Sequence, residues 1–548
     1  MTRLLTMTKL VIEGFQKDGW TTIVNGVDVH IDRGEVLGLI GESGAGKSTI
    51  GIASMGYCRA GCRIVGGSIV FDGMELTTAS RRALRRIRGR RASYVAQSAA
   101  ASFNPAHRLI RQYAEAPVRH GVLARIEAER NARAIYRRFN LPDPDRIGGR
   151  FPHQVSGGQL QRAMVAMAMA CSPDLIVFDE PTTALDVTTQ IEVLAAIKDA
   201  IKDLNSAAMY ITHDLAVVSQ VADRIMVLRH GDLVEEGRTK SLLASPRRSY
   251  TRALLSVRKG GGERVAHPEQ GQRLLEVRDV SAAYVDGVPV LRQVNLEVTR
   301  SKTVALVGES GSGKSTLARV ITGLLPPEAG HILFDGQDLR PRFFERSKEM
   351  LRRLQMIYQM PDVALNPRQK VQEILGRPLA FYFSMRGSEK QNRVSELLEQ
   401  IELPDHYASR YPSELSGGEK QRIAIARALA ARPDLIICDE VTSALDQLVA
   451  AEILKLLQRL QNELGVSYLF ITHDLATVKV ISDEIVVMLE GRVVEHGATN
   501  EVLEPPHHEY TEMLLASVPE MDPDWLDTLL ATRVGALLRE GERMHAPE

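Results

Sequence analysis

The sequence predicts an α/β protein written twice, as two tandem domains each built on a parallel β-sheet flanked by helices. Three observations carry this prediction. Short motifs recur in one order: GESGAGKST at 41–49 returns as GESGSGKST at 308–316, VSGGQLQR at 155–162 as LSGGEKQR at 415–422, LIVFDEPTTALD at 175–186 as LIICDEVTSALD at 435–446, and ITHDLA at 211–216 as ITHDLA at 471–476. Lys47 and Lys314 are 267 residues apart, whereas Ser156 and Ser416, and His213 and His473, are 260 apart, so the halves are collinear. That period is far longer than a stacked repeat and marks duplicated domains. Second, an apolar run (Val36–Ile40, Val304–Val307) directly precedes each glycine-rich motif, a strand–loop–helix context. Third, the unbroken apolar runs Leu175–Phe178 and Leu435–Cys438 each end on an Asp-Glu pair, and such runs mark strands buried on both faces of a parallel sheet.

Bulk properties narrow the class. At 548 residues with 44% apolar content the chain suits two sizeable cores. Lys+Arg and Asp+Glu balance at 68 each, which removes the usual electrostatic signature of a nucleic-acid binder. Arg81–Arg91 holds seven arginines and reads as a solvated helix face. The most apolar run, 163–178, is broken by Ser172, Pro173 and Asp174, so no membrane-spanning helix is expected. Glu13 interrupts the N-terminus before any signal-peptide core forms. Four scattered cysteines make neither a disulfide framework nor a metal cage, and suit a reducing cytoplasm. Domain boundaries follow from the repeat: 1–258, a Gly-rich tether KGGGERVAHPEQGQ at 259–272, 273–519, and a tail at 520–548 without counterpart in the first half. Within the tail, Trp525–Leu538 has helical apolar spacing.

The glycine-rich segments have the chemistry of a phosphate cradle. Gly41, Glu42, Ser43, Gly44, Ala45, Gly46, Lys47, Ser48 and Thr49 match the P-loop spacing GxxxxGK[ST], as do Gly308, Glu309, Ser310, Gly311, Ser312, Gly313, Lys314, Ser315 and Thr316. Glycines at both ends let backbone N–H groups turn toward an anion, and the following helix adds its positive end. Lys47 and Lys314 reach the β- and γ-phosphates, while Ser48 and Ser315 offer hydroxyls to Mg2+. Asp179 and Asp439, at strand ends, are placed to hold the Mg2+ shell. Glu180 and Glu440 follow where a base aligns and activates the attacking water. Cys438, beside this pair, reads as a small core residue.

The SGGQ and SGGE segments add specificity. Together with the P-loops, the acidic pairs and the histidines, in this order, they resemble the ABC ATPase family over nearly the whole chain, twice, omitting only tether and tail. The resemblance implies two P-loop NTPase domains, each a RecA-like core with antiparallel β and α-helical subdomains. It also implies head-to-tail pairing of the halves within the chain, each ATP lying between the P-loop of one half and the signature of the other. One site would then combine Lys47, Ser48, Gln97, Asp179, Glu180 and His213 with Ser416, Gly417, Gly418 and Glu419. The other would combine Lys314, Ser315, Gln359, Asp439, Glu440 and His473 with Ser156, Gly157, Gly158 and Gln159. Gln97 and Gln359 would touch Mg2+ and the transporter interface, and His213 and His473 would sense the γ-phosphate. Adenine would stack on Tyr284 in the second half and on Phe15 in the first, with Trp20 competing. Val155 for Leu and Glu419 for Gln are mild departures that remove no catalytic group, so both sites are expected to hydrolyse ATP.

Finer features are similar to ATPases of the oligopeptide/dipeptide/nickel importer family. They are Phe103-Asn104-Pro105 and Leu365-Asn366-Pro367 after each Q-loop glutamine, and the repeated Tyr-Thr followed by Leu-Leu at 250–255 and 510–515. That resemblance implies a peripheral subunit on the cytoplasmic face of the inner membrane. Its partners would be two transmembrane permease subunits and an extracytoplasmic solute-binding protein, with no nucleic acid. Some relatives carry cysteines after the Tyr-Thr motif; none follows Cys438 here, so no iron–sulfur cluster is expected. The alternative, a soluble tandem ATPase acting on ribosomes or nucleic acid, calls for a long charged linker and a basic surface. DNA-repair ATPases carry coiled-coil or zinc insertions between P-loop and signature. The sequence has none of these.

Overall fold

The computed structural model describes residues 2–16, 19–182, 185–258, 271–284, 287–443 and 445–532. Residues 259–270 of the expected tether, and 533–538 of the expected tail helix, lie outside the described residues. The chain divides into two compact units, Met1–Ser256 with Pro519–Glu548, and Val257–Val518. Each has the same two sheets.

In the first unit a four-stranded antiparallel sheet runs Gly19–Asp32, Arg3–Gln16, Cys62–Phe71, Met74–Glu75. A six-stranded sheet runs Asp232–Arg238, Arg224–Arg229, Val36–Gly41, Ala207–Ile211, Leu175–Asp179, Ala92–Val95. All its neighbours are parallel except the first pair. Val36–Gly41 and Leu175–Asp179 are buried at every position, which is why their sequences run apolar without alternation. Between the sheets lies one apolar core that includes Leu5, Ile12, Val29, Leu37, Ile50, Val177, Met209 and Met226. In the second unit the antiparallel sheet runs Pro289–Thr299, Arg273–Ala283, Ala329–Phe334, Gln337–Asp338, over an equivalent core. Its other sheet runs Leu354–Ile357, Leu435–Asp439, Ser467–Thr472, Thr303–Val307, Glu484–Leu489, Arg492–Ala498.

Helices after the Q-loop, together with the helix that begins at the signature, form a helical subdomain: Leu109–Arg119, Arg125–Arg138 and Gly157–Ala168 in the first unit, Val371–Phe383, Gly387–Gln400 and Gly417–Leu429 in the second. The second subdomain packs its own apolar core against the far face of the sheet, where Cys438 is wholly enclosed. Burial pushes that thiol well above its usual range, as an inert core residue requires.

The arginine-rich segment forms the short helix Arg81–Ile87 with Ser80 as its N-cap. Two of its seven arginines are structural rather than merely solvated. Arg88 Nε donates to Met55 O at 2.9 Å, and Arg91 binds Asp174 and Asp72, each at 2.6 Å.

Candidate nucleotide sites

Each P-loop joins a central buried strand to a helix that begins at its lysine, Lys47–Ala53 or Lys314–Thr322. The first glycine is sterically obligatory. A Cβ on Gly41 would lie 2.1 Å from Leu228 O, and one on Gly308 would lie 2.2 Å from Met488 O. The neighbouring strand therefore passes directly over the loop. Lys47 Nζ donates to Gly41 O at 2.6 Å and Glu42 O at 2.8 Å, and Lys314 Nζ to Gly308 O and Glu309 O, both at 2.7 Å. Both lysines are thus buried and aimed back along their loops.

The acidic pairs lie at the C-terminal ends of parallel strands, beside the P-loops. Ser48 Oγ donates to Asp179 Oδ1 at 2.8 Å and Ser315 Oγ to Asp439 Oδ1 at 3.0 Å. One residue on, each glutamate gathers two partners. Gln97 Nε2 donates to Glu180 Oε2 at 2.8 Å, and His213 Nδ1 lies 3.3 Å from Oε1. In the second unit the distances are 2.6 Å for Gln359 and 3.3 Å for His473. Gln97, Glu180 and His213 therefore form one cluster, and Ser48 and Asp179 another beside it, in both units.

Backbone geometry makes this possible. Glu180 and Glu440 sit at φ 50° and 49°, in the left-handed region that costs an L-residue about 1–2 kcal/mol. Their N–H groups donate to Ile211 O and Ile471 O at 2.8 and 3.0 Å, which fixes the unusual turn to the adjacent strand. Burial alone would push the histidines down. The hydrogen bond and charge of the glutamates prevail and hold His213 and His473 above their usual values. Burial likewise opposes ionisation of Glu440, but His473 and Lys314 keep it below the ordinary carboxylate range. Asp439 goes the other way, pushed up chiefly by burial.

Each signature serine caps a helix. Ser156 precedes Gly157–Ala168 and Ser416 precedes Gly417–Leu429, with reciprocal bonds to Gln159 and Glu419 that complete a capping box. Glu419, in place of the usual Gln, keeps this geometry: its Oε2 accepts from Ser416 N at 2.6 Å, and its Oε1 from Tyr407 at 2.5 Å. The two glycines differ in role. A Cβ on Gly418 would lie 2.5 Å from Val449 Cγ1, whereas one on Gly417 would meet only Leu445 Cδ2 at 3.7 Å. Gly418→Ala is therefore expected to destabilise the second unit by about 1–3 kcal/mol through overpacking. Gly417→Ala should stay within about 1 kcal/mol of the parent. Thermal unfolding distinguishes them, and equal melting would remove the packing explanation.

The aromatic residues expected to stack on adenine lie near strand ends: Phe15 in Arg3–Gln16, Trp20 in Gly19–Asp32 and Tyr284 just after Arg273–Ala283. Tyr284 is half exposed; its hydroxyl lies 3.3 Å from Thr316 Oγ1, at the end of the second P-loop, and accepts from Arg319 at 2.8 Å. Phe15 and Trp20 are both exposed and meet edge to face at 5.4 Å, with Arg63 over Trp20 at 3.9 Å. The pair offers a joint aromatic surface.

Two sets of residues escaped sequence reasoning. Tyr250 and Tyr510 accept hydrogen bonds from Glu42 N at 3.3 Å and Glu309 N at 2.9 Å, bracing both P-loops from the ends of their units. Their repetition in Tyr-Thr motifs was the available signal. In the first unit only, the Tyr94 hydroxyl donates to Asp179 Oδ2 and Arg59 lies 3.7 Å from the same oxygen. Met356 holds the position of Tyr94 in the second unit, so the two aspartates are differently supported.

A family model described as ABC transporter matches residues 24–183 and 291–443, spans that contain both P-loops and both acidic pairs. This chain belongs to the ABC transporter family. It is an ATP-binding, ATP-hydrolysing member with two fused nucleotide-binding domains. A second model, described as the oligopeptide/dipeptide transporter C-terminal region, matches residues 494–541. The glutathione import ATP-binding proteins GsiA of Escherichia coli O6:H1 and of Shigella boydii serotype 4 are each 37% identical over 95% of this chain and 90% of their own length. Among solved structures, cbiO1 from Clostridium perfringens, part of the ABC transporter complex cbiONQ, is 28% identical. It covers 49% of this chain and 99% of its own, at a TM-score of 0.39. ABC membership accounts for the two collinear motif sets, and the likeness to transporter and import ATP-binding proteins implies membrane permease partners. Among the described residues, no helix is long and apolar enough to cross a membrane.

Proposed function

We propose that this protein is the energising subunit of an importer for peptides or peptide-like solutes, such as glutathione, and that both of its ATP sites are competent. The carrying observation is duplication of the complete constellation: Ser–Asp beside Gln–Glu–His occurs in each unit with nearly equal distances. The GsiA likeness supplies the solute class.

In this reading the loop N–H groups and Lys47 or Lys314 bind the phosphates. The hard oxygen donors of Ser48 with Asp179, and Ser315 with Asp439, suit Mg2+, with Gln97 and Gln359 completing its surroundings. That ion, when bound, neutralises charge on the β- and γ-phosphates. Glu180 and Glu440 accept the proton of the attacking water, and the ionised state of Glu440 is already secured by His473. His213 and His473, held toward their protonated form, face the γ-phosphate. Phe15 and Tyr284 stack on adenine. Ser156, Gly157, Gly158 and Gln159 of one half, and Ser416, Gly417, Gly418 and Glu419 of the other, close over the opposite nucleotide. ATP thereby draws the halves together and hydrolysis releases them, a motion passed through the Q-loops to two permease subunits. The chain works at the cytoplasmic face of the membrane, and an extracytoplasmic solute-binding protein selects the cargo.

Co-purification tests this directly. The chain is expected to come out of solubilised membranes with two permease subunits, and the cognate binding protein to retain peptides in ligand profiling. Stable recovery on ribosomes without a membrane partner overturns the proposal.

A further inference from the structure

The segment Pro519–Thr532 follows the second unit in sequence yet packs within the first. Its short helix Trp525–Leu530 buries Leu526 completely and Leu529 nearly so. Gln220, only 2% exposed, grips it with both ends of its amide. Nε2 donates to Glu520 O at 2.8 Å and Asp522 O at 3.0 Å, and Oε1 accepts from Leu526 N at 3.1 Å. On either side Lys198 Nζ meets both Asp527 oxygens at 2.8 Å and Lys240 Nζ meets Asp524 at 2.7 Å.

The duplication supplies an internal control. At the 260-residue offset that relates these parts of the two halves, Lys198, Gln220 and Lys240 correspond to Gln458, Val480 and Asn500. Neither the two cations nor the amide recurs. A socket with these groups exists once, as does the segment that fills it. Its central residue is also informative. Gln220 is the C-cap of the helix Leu215–Ser219, whose N-cap Asp214 directly follows His213. A five-residue helix has little stability of its own and depends on tertiary contacts.

We propose that Pro519–Thr532 is a clasp: the chain's own C-terminal segment docks in a socket particular to the first half and ties the end of the second half to the helix behind His213. The significance of His213 rests on the ATP-site reading above, but the docking is measurable without nucleotide.

The test is hydrogen exchange on the nucleotide-free full-length chain. Leu526→Asp places a charge in the apolar seat, and Asp524→Lys with Asp527→Lys sets like charges against Lys198 and Lys240. Either change is expected to speed exchange about 10-fold or more in 215–222 and 525–530, leaving the counterpart helix Leu475–Ile481 unchanged. Adding Lys198→Asp and Lys240→Asp to the reversed tail should restore protection. Unchanged protection of either segment in Leu526→Asp, or failure of the charge swap to restore it, overturns the clasp. As a second measurement, a protease site placed within residues 259–272 allows the tether to be cut. The fragments are expected to remain together without nucleotide and to separate in Leu526→Asp; separation in the parent, or persistence in the variant, overturns the tie. Loss of the clasp with normal two-site ATPase chemistry would refute only its coupling to His213. Loss of ATP hydrolysis with the clasp intact would count against the ATP-site reading instead.

Discussion

Glu440→Gln is expected to lower ATP turnover by about 10²- to 10⁴-fold while nucleotide binding survives, and Glu180→Gln is expected to do the same alone. Gln is isosteric with Glu but does not accept a proton from water at neutral pH. The change removes the base without opening space. Each glutamate is aimed by its surroundings, through Gln97 or Gln359, His213 or His473, and a backbone turn at positive φ. Phosphate release measures turnover, and equilibrium binding of a fluorescent ATP analogue measures occupancy. Full activity in either single variant refutes two-site competence. The size of the effect reflects the histidines beside each glutamate, which are held toward their charged form and so do not take the proton in its place.

Gly308→Ala should be among the most damaging single methyls in the second unit, at about 3 kcal/mol. The added Cβ would lie 2.2 Å from Met488 O at φ 150°, and although Ser312 Oγ at 2.8 Å could turn aside, the Met488 backbone cannot. Gly311→Ala, at φ 89° with nothing within 4 Å, carries conformational strain alone and should cost about 1–2 kcal/mol. For a unit of this size each kcal/mol lowers the melting temperature by roughly 2–4 °C, so calorimetry separates the two. Equal losses would mean that the close approach of the Met488 strand is not what demands glycine.

Much of the site was legible because phosphate chemistry constrains neighbours in sequence. GxxxxGK[ST] must be contiguous for its amides to face one anion, and an Asp-Glu pair must end a buried strand. The strands found at Val36–Gly41, Thr303–Val307, Leu175–Asp179 and Leu435–Asp439 lie where the apolar runs put them. Less was legible wherever a contact joins distant segments through one side chain. Nothing local in Tyr250 points to Glu42, and nothing in Gln220 points to Leu526, since a single hydrogen bond leaves no periodicity. The Gly418–Val449 contact is hidden in the same way, behind a motif that phosphate binding already explains.

By itself, then, the sequence determined that there are two ATP-binding domains of one ancestry, which residues form each glycine-rich loop, and where the acids and histidines stand. Those features depend on short-range spacing and on runs of buried side chains, both written along the chain. Only the tertiary structure decided that each glutamate is held at positive φ by the neighbouring strand. It alone decided that Tyr94 and Arg59 support one strand-end aspartate and not the other, and that Pro519–Thr532 packs with the first unit rather than trailing from the second. These depend on which distant surfaces meet, and burial rewards complementary surfaces whatever their separation in sequence.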